Sequence, residues 1–211
     1  ILKYKIIFED DWVMVVDKPA NILVIPTPKN EKNTLTNLLN RELDSRGIEV
    51  NAYPCHRIDR ETSGIILYAK GKNIQKIMMD EFKKRNIKKS YLAVAHGIIK
   101  NDSGVIKGSI FNRNKNREEF AVTKYKVLER RGAFTVLEVE PVTGRTNQIR
   151  IHFKKIGHPL VGESVYAFRK DFDLKFKRVA LHAKSLEFTH PVTKNRVSFT
   201  CPPAQDMEKF I

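Results

Sequence analysis

The sequence predicts an α+β protein: a mixed, largely antiparallel central sheet with flanking helices and loops. Three observations carry that reading. Short strand-like segments outnumber amphipathic helices and interleave with them irregularly, which argues against a doubly wound parallel sheet. The run Gly64–Lys70 (GIILYAK) is apolar almost without a break, as a strand buried on both faces is. Tyr125 and Val127 alternate with Lys124 and Lys126, the pattern of an antiparallel strand with one wet face.

Taken in order, Tyr4, Ile6 and Phe8, the polar turn at Glu9–Asp11 and the apolar stretch Trp12–Val16 predict an opening hairpin. Asn33 and Thr34 can cap a helix whose apolar face is Leu35, Leu38, Leu39 and Leu43, closed near Gly47. Ile74, Ile77, Met78 and Phe82 follow the same period, with Lys83, Lys84 and Arg85 where cations favour a helix end. Further strands are expected at Tyr91–His96, Ala121–Leu128, Ala133–Val139, Val179–Phe188 and Arg196–Thr200. A third helix is marked by Ile149, Phe153 and Ile156. The segment Lys107–Glu119, rich in asparagine and cations, reads as a mobile loop. With 211 residues, 41% of them hydrophobic, and no linker or repeat, residues 1–211 are expected to form a single domain.

Composition narrows function. No stretch of 18 apolar residues and no secretory signal is readable, so no membrane association and a cytoplasmic location are expected. Cys55 and Cys201 are too few for a disulfide framework, and the Cys and His spacings do not match zinc ligation, so no metal is expected. Phosphate-loop and nucleophile-elbow motifs are absent from the sequence. The net charge of +15, with a pI near 9.8, is the footprint of a polyanion binder. It is concentrated: residues 83–131 hold fourteen basic and four acidic side chains.

Two clusters have the residue types for chemistry. Pro54-Cys55-His56-Arg57-Ile58-Asp59-Arg60-Glu61-Thr62-Ser63-Gly64 leads into the buried strand, and Thr143-Gly144-Arg145-Thr146-Asn147-Gln148-Ile149-Arg150-Ile151-His152 opens the third helix. Each alone reads equally well as a solvated turn or a helix cap. Together, and in order, they resemble the RluA-type pseudouridine synthases. HRIDRETSGIILYAK at 56–70 is similar to that family's HRLDRDTSGLLLLAK, KSYLAVAHG at 89–97 to its KxYLAxVxG, and GRTNQIRIHFKKIGHPLVGESVYA at 144–167 to its GRTHQIRVHLxxxGHPIxGDxxYG. Weaker similarities at 9–26, 121–128 and 181–193 extend the resemblance over nearly the whole chain.

The resemblance implies the pseudouridine synthase catalytic fold and an RNA isomerase acting on uridines of ribosomal or transfer RNA without a cofactor. It implies that Asp59 is the catalytic carboxylate, that Tyr91 packs against the target base, and that Arg150 pairs with the carboxylate. It also implies that Arg57 enters the space left by a flipped nucleotide. Candidates for RNA contact are His56, Arg60, Thr62 and Arg145, with Arg113, Lys115 and Arg117 in the cationic segment. Asn147 and Glu163 depart from the family pattern, which has histidine and aspartate there, and neither is expected to touch the aspartate, the tyrosine or the arginine. Many relatives carry an N-terminal S4-type RNA-binding domain, which this chain is expected to lack. A monomer is expected. The rival readings are a non-catalytic RNA-binding or ribosome-associated protein, which charge alone permits, and a hydrolase using Asp59 with Glu61 or using His56.

Overall fold

The structure, a computed structural model, describes residues 4–112, 115–167 and 172–211. The fold is α+β, a largely antiparallel sheet with a few helices, as the segment pattern predicts. The chain forms two compact units, Ile1–Lys88 with Ala183–Ala204, and Lys89–His182 with Gln205–Ile211. Among the described residues no helix is long and apolar enough to cross a membrane.

In the first unit, β1 (Lys5–Glu9) and β2 (Val13–Lys18) form the expected hairpin, its turn closed by Asp10, whose carboxylate accepts the backbone N–H groups of Trp12 and Val13. α1 (Leu35–Ser45) follows, its N-cap Thr34 accepting from the Asn37 N–H and Gly47 turning the chain out at φ 71°. Short β3 (Ala52–Pro54) leads through the 56–62 loop into β4 (Ser63–Lys70), and α2 (Lys72–Lys83) returns over the sheet. The strand order is β1-β2-β4-β9, where β9 is Leu181–Thr189; β3 pairs with β4, and β10 (Arg196–Thr200) with β9.

Every residue of β4 is buried because both its faces are covered. Ile65, Leu67 and Ala69 pack with Val13, Val15, Ile74 and Met78 on one face. On the other, Tyr68 reaches α1, its hydroxyl 3.1 Å from that of Thr36. The period-2 signal vanishes from a strand in this setting, leaving a continuous apolar run.

The second unit orders its strands β5-β8-β7-β6: β5 is Lys88–His96, β6 Ser103–Asn112, β7 Arg117–Arg131 and β8 Phe134–Pro141. α3 (Gln148–Lys155) lies against β6 and β7, where Phe153 meets the Tyr125 ring edge-on. Leu92, Val94, Val136 and Phe176 pack with Met207 and Phe210 of a C-terminal 3-10 helix, Gln205–Phe210. Buried Arg178 ties that helix down through a bidentate bond to Asp206, both contacts 2.7 Å.

One expectation is overturned. Within the segment Lys107–Glu119, residues 107–112 and 117–119 are strand and not loop: β6 and β7 pair antiparallel over ten positions, from Ser103↔Lys126 to Asn112↔Arg117. Glycine replaces apolar residues at inward positions of β6. A Cβ on Gly104 would stand 2.6 Å from the Tyr125 ring, so the glycine makes room for that ring and the strand loses its apolar alternation.

Gly64 is fixed by a harder constraint. Its φ is 107°, and a Cβ there would lie 2.2 Å from the Ala183 carbonyl oxygen on β9. Gly64→Ala is expected to destabilise the protein by about 3 kcal/mol or more, because strain and backbone collision add. Gly47→Ala, with the same kind of φ but open space around it, should cost only about 1 kcal/mol. Urea unfolding of both variants checks the difference.

Candidate active-site segments

The 56–62 loop is held by a buried cation that the sequence does not advertise. Lys18 ends β2 with no exposed surface, and its ammonium donates to the carbonyls of Pro19 (2.9 Å), Ile22 (2.9 Å) and Arg60 (3.1 Å). The Arg60 carbonyl also accepts the Asn21 N–H at 2.7 Å, with Asn21 in the left-handed region that asparagine tolerates. The Asp59 carbonyl accepts the Thr62 N–H at 3.1 Å, closing the turn. Asp59 thus sits half-buried on a loop fixed at the adjacent residue by an ammonium and a backbone donor.

The neighbours of Asp59 divide by environment. Arg57 and Arg60 are exposed, with Arg60 Nε reaching the Asn21 carbonyl at 3.3 Å. His56 Nε2 accepts the Leu67 N–H at 3.0 Å, and its ring stacks at a tilt on Phe82. That lone pair is committed to the backbone, which disfavours His56 as a hydrolytic base. Thr62 is only 1% exposed, so it packs the loop and is not displayed to solvent.

The second unit builds the other candidates. Tyr91, buried on β5, pairs with Val139 of β8. The turn into α3 is clamped to β7 by Gln148, whose amide donates to the Val122 carbonyl (2.9 Å) and Thr123 hydroxyl (3.0 Å) and accepts from the Thr143 hydroxyl (2.6 Å) and Arg145 N–H (3.0 Å). His152 Nδ1 lies 2.9 Å from the Thr123 hydroxyl one turn on, so the inner face of α3 is fixed at two levels. Arg150, two residues from each, leaves the helix on a different face and is 5% exposed.

Here the second expectation fails, because Glu163 and Asn147 both bind Arg150. The Arg150 Nε and Nη2 donate to the two Glu163 oxygens at 2.7 and 2.8 Å, and Nη1 donates to Asn147 Oδ1 at 3.3 Å. Asn147 adopts φ 54°, and its amide donates to the Tyr166 hydroxyl at 2.8 Å, while the guanidinium lies 5.5 Å from the Tyr166 ring centroid. Glu163 Oε1 also accepts the N–H groups of Ser164, Val165 and Tyr166. Burial pushes the Glu163 carboxyl up, but Arg150 and the backbone donors outweigh it and hold the group below the usual glutamate value. One carboxylate, 13 residues from the arginine, thus grips it with two oxygens.

The cationic candidates converge on a carboxylate as well. Glu119 accepts from Asn112 Nδ2 (2.9 Å) and Lys115 Nζ (3.0 Å), with Arg117 Nη2 at 3.5 Å and Arg145 Nη1 at 3.8 Å. The Asn112 amide and Lys115 ammonium, with Arg145 further off, hold Glu119 down to about 2. Arg113 lies outside the described residues. The thiols of Cys55 and Cys201 are both buried, and burial pushes each up to about 12, so neither supplies a thiolate at neutral pH.

Glu163→Gln is expected to cost about 3–5 kcal/mol at neutral pH, because it takes the bidentate carboxylate away from a buried guanidinium. Since Glu163 ionises below 4.5 in the folded chain, its contribution is complete above that pH and fades as the pH falls through the lowered value. Urea unfolding at a series of pH values should show the gap between wild type and variant narrowing only on the acid side.

With this geometry in view, the similarities of the chain are specific. Residues 12–155 match the family described as RNA pseudouridylate synthase. An uncharacterised RNA pseudouridine synthase of Bacillus subtilis is 39% identical over 217 residues, covering 98% of this chain and 71% of the relative. A ribosomal large subunit pseudouridine synthase D of Nitrosomonas europaea is 36% identical, covering 98% of this chain but 64% of the relative, so the chain spans less than two thirds of that protein. Among solved structures, human RNA pseudouridylate synthase domain containing 4 superposes with a TM-score of 0.81 at 20% identity, over 96% of this chain and 89% of that one, which speaks for the fold. Human RNA pseudouridylate synthase domain containing 1 gives 0.80 at 23% identity, over 99% and 87%. The chain belongs to the RNA pseudouridylate synthase family, isomerases that act on uridines in RNA.

Proposed function

We propose that this chain isomerises selected uridines of ribosomal or transfer RNA to pseudouridine, with Asp59 as the catalytic carboxylate, Tyr91 against the target base and Arg150 as the cation for the carboxylate. The names of the ribosomal large subunit synthases among its relatives favour ribosomal RNA. We further propose that it works as a cytoplasmic monomer on its RNA partner. The observation that carries the catalytic reading is the loop of Asp59, pinned through Arg60 by the buried Lys18 ammonium. An RNA-binding module needs cations at its surface but has no use for a carboxylate on a rigid loop inside a strongly basic chain.

The reaction breaks the C1′–N1 bond, turns the uracil and joins C5 to C1′. C5 gives up its proton to a base and N1 gains one, so substrate and product are isomers and no redox change occurs; the chemistry asks of the protein a carboxylate, an acceptor for the C5 proton, a surface for the turning base and a means of extruding the nucleotide. A tyrosine ring supports the uracil without fixing one in-plane orientation. Extrusion from a stack costs a few kcal/mol, less in a loop than in a stem. Arg57, exposed two residues from Asp59, is placed to fill the gap. His56 and Thr62 brace the loop in this reading, while Arg60, Arg145, Lys115 and Arg117, with Arg113, serve the phosphates.

Asp59→Asn should abolish pseudouridine formation while leaving RNA affinity nearly intact, since shape is kept and only charge is removed. Substantial turnover by that variant, assayed on RNA from cells lacking the gene, would overturn the role of Asp59. Release of free uracil by the wild type would instead assign a glycosidase. Arg57→Ala should slow single-turnover isomerisation more for a uridine closed in a stem than for the same uridine in a flexible loop. Equal losses on both RNAs would assign Arg57 to positioning.

A further inference from the structure

The β6–β7 hairpin leaves two aromatic side chains facing water. Its register puts alternate residues on opposite faces: Ile106, Ile110, Ala121 and Thr123 point inward and are buried, whereas Phe111 and Phe120 lie on the outer face, 52% and 58% exposed. Phe111 stands opposite Glu118, and Phe120 opposite Ser109, so the two phenylalanines are diagonal neighbours, a spacing within reach of aromatic side chains. The backbone beneath them is rigid. Ten paired positions hold the ladder, and Arg145 Nε donates to the Phe120 carbonyl at 3.2 Å, tying it to the turn that leads to Arg150.

Large exposed aromatics side by side on a fixed strand ladder need a partner with flat apolar faces. Charge identifies which. Residues 103–131 hold eight basic and three acidic side chains, and Lys107 and Lys124 are exposed on the same outer face as the phenylalanines. Aromatic rings interleaved with cations match single-stranded nucleic acid, whose bases stack on rings while the phosphates meet ammonium groups.

We propose that Phe111 and Phe120 form a stacking platform for unpaired bases of the RNA substrate outside the reacting uridine. This rests on the RNA-modifying function proposed above and adds to it a sequence-tolerant, largely non-ionic contribution to substrate binding. Base stacking releases no counterions, so the platform sets affinity without setting its salt dependence.

Anisotropy titrations with a labelled, unstructured single-stranded RNA, and with a duplex of the same sequence, test the proposal. Phe111→Ala and Phe120→Ala should each weaken single-strand binding by about 5- to 150-fold. The slope of log affinity against log salt and the affinity for the duplex should stay unchanged. Phe120→Trp should bind as wild type, whereas Phe120→Leu, apolar but not aromatic, should bind like Phe120→Ala. Unchanged binding by the alanine variants, or full binding by Phe120→Leu, would overturn the platform. So would concentration-dependent self-association of the wild type in sedimentation that the double alanine variant loses, which would assign the face to a second copy of the chain. Failure of the proposed function has a separate signature: a wild type that binds single-stranded RNA through these rings yet forms no pseudouridine.

Discussion

The buried ammonium of Lys18 is the interaction on which the Asp59 loop depends. Removing a lysine charge from water costs several kcal/mol unless its donors are satisfied. Three carbonyls from Pro19, Ile22 and Arg60 meet it, so the chain after β2 and the chain before β4 are gathered onto one cation. Carbonyls also leave the charge uncompensated by any anion among these three acceptors. A carboxylate one residue from Arg60 is then presented on a loop held at Arg60 through a backbone carbonyl, an acceptor that does not titrate.

Arg150 is handled in the opposite manner. Its guanidinium meets a full carboxylate, Glu163, which is itself fixed by three backbone N–H donors. Planarity explains the choice: two parallel N–H···O bonds lock a guanidinium in one plane, and Asn147 and the Tyr166 ring add contacts to it. The left-handed φ of Asn147 follows from the same demand. Asparagine is among the few residues with a side chain that accept φ near 54°, and its two-ended amide joins Arg150 to Tyr166.

Much of the fold was legible because burial wrote itself into periodicity. β4 reads as an unbroken apolar run since helices cover both its faces, and α1 reads from its leucines and Thr34 cap. β6 did not read, because its inward positions alternate Gly104, Ile106, Gly108 and Ile110, where half the expected apolar signal is given up to make room for neighbours such as Tyr125. Among the candidate residues, local motifs marked Asp59, Tyr91 and Arg150, but their supports stayed hidden. Lys18 looks like any strand-end lysine until three carbonyls are folded around it. Glu163 and Asn147 were visible only as departures from a pattern, and the contact of Glu163 with Arg150 spans 13 residues, beyond any helical or strand period.

The count of basic residues on the hairpin is the feature the sequence overstates. Of the cations counted on the basic hairpin, Lys115 and Arg117 lean on Glu119, joined at longer range by Arg145, while Lys124 and Lys126 stand opposite Glu140 and Glu138 across the ladder. A phosphate approaching Lys115 or Arg117 therefore competes with a carboxylate already held as an anion down to about 2. Competition of this kind lowers the net gain of each phosphate contact and with it the number of counterions released. The net charge of +15 already subtracts these carboxylates, and the platform proposed above adds to it a contact that charge does not count. Exposed rings on a rigid ladder are the structural form such contacts take, because stacking keeps its strength in salt concentrations that screen phosphate attraction.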